Sequence, residues 1–167
     1  MVSQETQEES MKNVSVVAGA YLKIPADVLI VGTSSKEIYD VIRGNHDGPL
    51  QKEVASHEWI DGETMIVEVI QPGSALRNIV YVVDDLKLPL HEIVLAGLEE
   101  ANKWKDCITV SLLPIRMDAT REGIAELKRG VEEFFARHHD SPTKITLVVP
   151  FPAEVCYLLA LGQAFDS

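Results

Sequence analysis

The feature that most constrains this chain is an alternation of helical and strand patterns between residues 90 and 150. Apolar residues recur at spacings of three and four, first across 90–104 and again across 124–135, as on the buried face of an amphipathic helix. A continuously apolar run follows each stripe, at 107–113 and at 145–149, and each run is too short for a buried helix. Alternating helices and apolar strands predict a largely parallel sheet covered on both faces.

The rest of the chain adds elements to this sheet. Further strand patterns lie at 14–18, 27–31, 64–70 and 78–83, and a short helical pattern lies at 38–42. A turn at Pro72-Gly73 predicts that the third and fourth of these strands form an antiparallel pair. A last helix follows Pro152, and its predicted buried stripe comprises Val155, Leu158, Leu159, Gly162 and Phe165.

These elements predict an α/β fold, a three-layer α/β/α arrangement with a mixed, largely parallel central sheet. We expect one domain over residues 13–167 behind a flexible polar tail at 1–12. The net charge of −11 argues against a nucleic-acid or anionic-membrane partner, because both need clustered basic side chains. The two cysteines, Cys107 and Cys156, lie in apolar patterns and are interpreted as small buried side chains, which suits a reducing cytoplasm.

Small polar residues follow the predicted strand at 27–31. Thr33, Ser34 and Ser35 come directly after Gly32, at the carboxyl end of that strand. Open α/β sheets bind ligands at such ends, so the hydroxyl groups are candidate ligand contacts. The alternative is an ordinary strand-to-helix turn in which a serine caps the next helix.

A second polar segment, 43–48, ends the short helix and is interpreted as a loop. Asn45, His46 and Asp47 carry metal-ligating types of side chain, and His57 and Glu58 follow downstream. Their spacing does not match a known pair of metal ligands, so we predict a polar turn, with neither a metal nor a cofactor. Asp84 and Asp85 likewise indicate a solvated loop rather than an acid/base pair, and no catalytic residue is predicted.

A third polar segment joins the strand at 107–113 to the following helix. Asp118 or Thr120 is suited to cap that helix. Arg116 and Arg121 are candidates for binding a phosphate together with free backbone N–H groups. The alternative is that the two arginines only balance the acidic residues around them.

The order of elements resembles the macro domain, the ADP-ribose-binding fold of the Appr-1″-phosphate-processing family. Residues 24–31 are similar to its second strand, and 48–53 to the segment after its first helix. Residues 60–64 resemble the turn before its hairpin, and 98–101 with 108–114 resemble the helix and strand before its second phosphate loop. The resemblance covers residues 14–165 and implies an ADP-ribose-binding cleft.

The departures from the family fall on that cleft. The family's Gly-Asp-Ile, whose Asp holds the adenine amino group, is matched by 19–21, and its Asn-Ala-Ala-Asn by 32–35. Ser35 thus replaces the asparagine that contacts the distal ribose, and Asp40 lies one position from the hydrolase aspartate. The glycine run of the first phosphate loop is deleted, and the second loop is replaced by residues 116–120.

The first hypothesis is therefore a divergent macro domain that binds a nucleotide-like or other small phosphorylated ligand. The second is a module without a site that acts through protein contacts or self-association as a homo-oligomer, and the third is an ADP-ribosyl hydrolase. The residues expected to bind the ligand are Thr33, Ser34, Ser35, Arg43, Asn45, Asp47, Arg116, Thr120 and Arg121.

Overall fold

The computed structural model describes residues 13–45, 57–69, 76–104, 109–118, 120–150 and 155–166. Its strands are β1 (Val14–Ala18), β2 (Ala26–Thr33), β3 (Thr64–Glu68), β4 (Leu76–Val83), β5 (Thr109–Leu112) and β6 (Lys144–Val149). Its helices are α1 (Ile38–Asn45), α2 (Leu90–Asn102), α3 (Arg121–Arg137) and α4 (Val155–Asp166). Short 3-10 turns occupy Tyr21–Lys23 and Ile115–Met117.

The six strands form one sheet in the order β1-β6-β5-β2-β4-β3. Among the strand pairs of the described residues, only β3–β4 is antiparallel, and the other four pairs are parallel. The prediction of a mixed, largely parallel sheet with an antiparallel pair is confirmed. Parallel neighbours that are distant in sequence require crossover connections, which explains why helices alternate with strands.

Both faces of the sheet are buried, and β2 shows why. Leu29 and Ile30 point to opposite faces, and both are fully buried in separate apolar clusters. The cluster around Ile30 includes side chains of α2, α3 and α4, whereas the cluster around Leu29 includes Ile38 of α1. These two clusters confirm the three-layer α/β/α arrangement.

Helices α2 and α3 pack closely because a glycine, Gly130, lies at their contact. A Cβ atom on Gly130 of α3 would lie 2.8 Å from the Val94 Cβ and 2.9 Å from the His91 carbonyl oxygen. Neither atom belongs to the flexible end of a side chain. Leu127, Val131, Phe134 and Phe135 form the predicted buried stripe of α3.

Two sequence predictions about the ends of helices are wrong. The segment from Arg43 to Asn45, interpreted as loop, continues α1. Trp104 lies beyond the end of α2 and is 44% exposed, so it does not belong to the buried stripe of that helix. Its position after the C-terminal cap Lys103 takes it off the helical face on which the spacing placed it. Residues 1–12, Asp47 and Cys107 lie outside the described part of the chain.

The buried face of α4 also differs from its prediction. Val155 and Leu159 are 67% and 61% exposed, and Cys156 is exposed as well. Tyr157 and Leu161 are buried instead, whereas Phe165 is buried as predicted. Almost every residue of α4 is apolar, so the spacing of apolar residues does not single out one face.

We predict that Gly130→Ala lowers the free energy of unfolding by about 1–2 kcal/mol, because overpacking outweighs the better helix propensity of alanine. Denaturant unfolding of the variant measures the change. Gly19→Ala is the control, since a Cβ there would lie 3.7 Å from the Ile24 Cδ1, an ordinary contact. Equal losses in both variants would contradict the proposed close packing.

Candidate functional site

The candidate site is the edge of the sheet where β5, β2 and β4 end. These three strands are neighbours and run parallel, so the loops that follow them meet at one edge. We name them the β2 loop (34–37), the β4 loop (84–89) and the β5 loop (113–120). The structure thus brings Thr33, Ser34, Ser35 and Arg116 to one edge, as predicted from the strand pattern.

The β2 loop is held by its own serines. The Ser34 hydroxyl accepts a hydrogen bond from the backbone N–H of Glu37 at 3.2 Å, and the Ser34 carbonyl accepts from Glu37 and Ile38. The Ser35 N–H donates to the Asp85 carboxylate at 2.8 Å. The Thr33 hydroxyl is buried and has no hydrogen-bond partner within the described residues. The strand-to-helix turn that the sequence offered as an alternative is therefore present, with Ser34 bonded to the next turn.

The β4 loop is organised by a carboxylate that sequence reasoning did not select. The side chain of Asp61 accepts hydrogen bonds from the backbone N–H groups of Asp85, Lys87 and Leu88, the last two at 3.0 and 2.6 Å. Asp61 lies in the turn before β3, where Gly62 adopts a positive φ of 87°. The turn at residues 60–64, which the resemblance placed before the hairpin, thus also positions a loop of the candidate site.

Arg116 connects the β5 loop to the β4 loop. Its Nε and Nη2 atoms donate to the two carboxylate oxygens of Asp84 at 2.9 and 2.7 Å, and Nη2 also donates to the Leu88 carbonyl at 2.7 Å. The hydrogen bonds to Asp84 raise the pKa of the Arg116 guanidinium. The sequence predicted a solvated loop here. That prediction is wrong for Asp84, because its side chain is only 8% exposed.

The start of α3 is capped by its own chain. The Thr120 hydroxyl accepts from the Gly123 N–H at 3.1 Å, and the Thr120 N–H donates to Asp118 at 2.9 Å. That hydrogen bond lowers the pKa of Asp118. Thr120 is therefore the helix cap, one of the two residues predicted for this role. Arg121 is exposed, and no ion pair joins it to another described residue.

The remaining predicted contacts do not lie on these loops. Arg43 and Asn45 lie in the last turn of α1, about 8–10 Å along the helix axis from its start. Their side chains and the whole of Asp47 fall outside the described residues. Their part in ligand binding stays a prediction.

The surroundings of Arg116 are acidic. Besides Asp84, the carboxylates of Asp61 and Glu126 raise its pKa through their charges. Glu126 is hydrogen-bonded to His91 Nδ1 at 2.7 Å, and this bond lowers the pKa of Glu126. Within the described residues there is no group of three or more His, Cys, Asp or Glu side chains that could hold a metal ion. The same residues include no helix long and apolar enough to cross a membrane.

Comparison with solved structures identifies the fold. The Oceanobacillus iheyensis macrodomain with ADP superposes with a TM-score of 0.67 at 15% identity, over 93% of this chain and 92% of that one. The Trypanosoma brucei macrodomain in complex with ADP-ribose gives a TM-score of 0.68 at 11% identity, over 90% and 68%. The macrodomain of Mycobacterium tuberculosis DarG gives 0.55 at 10% identity, over 81% and 96%.

The chain therefore has the macrodomain fold, and the resemblance seen in the order of its elements is confirmed. No family model matches the sequence, and no curated protein is detectably similar to it. The likeness lies in the path of the backbone, at identities of 10–15% for these three structures.

We predict that the contribution of Asp85 to stability depends on pH. Hydrogen bonds from Ser35 lower the pKa of Asp85 below its ordinary value of 3.8. Because the pKa of Asp85 is lower in the folded state, its hydrogen bonds with Ser35 stabilise the folded protein above pH 3.8. This stabilisation is lost as the pH falls below that value. At neutral pH the free energy of unfolding should be higher for the wild-type protein than for Asp85→Asn. This difference should decrease as the pH is lowered.

Denaturant unfolding at a series of pH values between 3 and 7 measures this difference. Glu58→Gln is the control, because this substitution removes the same charge at an exposed position. A difference between wild type and Asp85→Asn that stays constant over the whole range would contradict a role for the charged carboxylate.

Proposed function

We propose that this chain binds a small phosphorylated ligand of the ADP-ribose type at the edge formed by the β2, β4 and β5 loops. The observation that supports this most directly is the meeting of these three loops at the ends of adjacent strands in a macrodomain sheet. Ligands of open α/β sheets bind at the carboxyl ends of the strands. Two of the structures with this fold were solved with ADP or ADP-ribose.

In this proposal charged side chains replace a backbone phosphate cradle. The N–H groups of Ser35, Thr120 and Gly123 donate within the protein, so they are not free for a phosphate. Arg121 is exposed at the start of α3 and supplies a guanidinium that can bind phosphate oxygens through two N–H groups. Binding by Arg121 would therefore depend on its charge.

Hydroxyl groups of the β2 loop complete the proposed site. The Ser34 oxygen acts as an acceptor for Glu37, so its hydrogen stays available for donation to a ligand. Ser35 is engaged with Asp85, and Ala20 has no carboxylate with which to hold an adenine amino group. The proposal therefore assigns neither a catalytic residue nor a side-chain contact to adenine.

We predict that ADP-ribose raises the melting temperature and that Arg121→Gln weakens its binding by about 1.5–3 kcal/mol, the range for a hydrogen bond to a charged group. Titration calorimetry with ADP-ribose, ADP, AMP and NAD measures the affinities. Arg137→Gln is the control, because it removes the same charge from an exposed position at the other end of α3.

Equal affinities for wild type and Arg121→Gln would remove Arg121 from the site. No binding of any of the four ligands at millimolar concentration would contradict the proposed function itself.

An exposed apolar surface favours a second candidate function, self-association through α4. Val155, Cys156 and Leu159 are exposed on this helix, and the sequence has no charged residue between Val155 and Phe165. Two copies of a chain with net charge −11 repel each other, so a contact between copies is least opposed where charge is missing. The occupant we propose for this face is a second copy of the chain.

We predict that the wild-type protein forms a dimer whose population rises with concentration, and that Leu159→Lys abolishes it by placing a charge in the contact. Sedimentation equilibrium measures the association. Ile60→Lys is the control, since Ile60 is similarly exposed, at 66%, but lies on another surface. A wild-type chain that stays monomeric at high concentration would exclude this second function.

A further inference from the structure

We infer that Asp84 and the phosphate of the ligand compete for Arg116. In this inference Arg116 binds the phosphate only when its hydrogen bonds to Asp84 are broken. This inference rests on the proposed function and adds a determinant of its affinity. The sequence predicts that Arg116 binds a phosphate, yet its guanidinium is bound to Asp84 through two hydrogen bonds of 2.9 and 2.7 Å. A bidentate pair of this kind uses the same donors that would bind a phosphate.

The position of this pair suits such a competition. β2 lies between β5 and β4 in the sheet, so an ion pair between the β5 and β4 loops passes over the end of β2. The 3-10 turn that carries Arg116 contacts β2, since Ile115 lies against Gly32. The Asp84 N–H donates to the Thr33 carbonyl at 2.8 Å. The pair therefore lies where the proposed ligand would meet the β2 loop.

The backbone on both sides of the pair is strained. Among the described residues, three that are not glycine have a positive φ, namely Leu86 at 64°, Arg116 at 65° and Met117 at 40°. All three lie in the β4 and β5 loops that this ion pair joins. Such conformations are unfavourable for residues with a Cβ and occur often at ligand-binding and switching sites. The strain shows that these loops are held by their contacts rather than by local preference.

Electrostatics gives the competition its direction. The bound Asp84 carboxylate and the nearby charges of Asp61 and Glu126 offset the positive charge of Arg116. They therefore weaken its attraction for an incoming anion. A phosphate that takes the place of Asp84 preserves the pairing of the guanidinium. Asp84 would keep its hydrogen bond from the Leu86 N–H, which is 3.1 Å long. Removing the charge of Asp84 should therefore strengthen binding of the ligand.

The test measures ADP-ribose binding by calorimetry in Asp84→Asn, Arg116→Gln and the double variant. Asp84→Asn should bind roughly fivefold tighter or more, because a partly exposed charge pair is worth about 1 kcal/mol. Arg116→Gln should bind more weakly than wild type, and in the double variant the gain from Asp84→Asn should disappear. Glu133→Gln is the matched control, since it also removes a carboxylate paired with an arginine, Arg137, at 3.1 Å.

Unchanged or weaker binding by Asp84→Asn, with wild type still binding, would overturn the competition and leave the proposed function standing. Absence of binding in every protein would overturn both. A measurement on the wild-type chain avoids any effect of the variants on folding. The Nε–H resonance of Arg116, assigned by its loss in Arg116→Lys, should shift as ADP-ribose is added, and a resonance that stays fixed at saturation would contradict the inference.

Discussion

The structure depends on the pairing of β2 with a parallel neighbour on each side. Ile30 and Val28 are paired with β4 and with β5, and both residues are almost fully buried. Parallel strands cannot be joined by a tight turn, so each neighbour arrives through a crossover that contains a helix. The same pairing brings the carboxyl ends of three strands together. The fold and the position of the candidate site therefore have one physical origin.

Several polar groups of the loops at this edge are hydrogen-bonded within the protein. Asp61 accepts hydrogen bonds from three N–H groups of the β4 loop, and Asp85 accepts one from the Ser35 N–H. Asp84 forms an ion pair with Arg116. Glycine-rich phosphate loops leave such N–H groups free for a ligand, whereas these loops use carboxylates from the chain itself. The proposed anionic ligand is therefore expected to be bound by side-chain charge, beside these carboxylates or in place of one.

Much of the fold was predictable because most of its helices and strands have apolar residues on the buried face and polar residues on the exposed face. The stripe of α3 alternates with charged residues, and its buried face was predicted correctly at Leu127, Val131 and Phe134. In α4 the surrounding positions are apolar too, so the exposure of Val155 and Leu159 was not predictable from spacing. The candidate site was located by a rule of topology, since polar residues after parallel strands meet at one edge.

By itself, the sequence determined the order of helices and strands, the antiparallel β3–β4 pair and the caps at turns, because these depend on neighbours a few residues apart. Only the tertiary structure decided which distant side chains meet. Arg116 and Asp84 are 32 residues apart, and Ser35 and Asp85 are 50 apart. No local pattern indicates such pairs, because their energy arises only when the sheet brings the loops together. For the same reason, the availability of Arg116 to a ligand was decided by the fold.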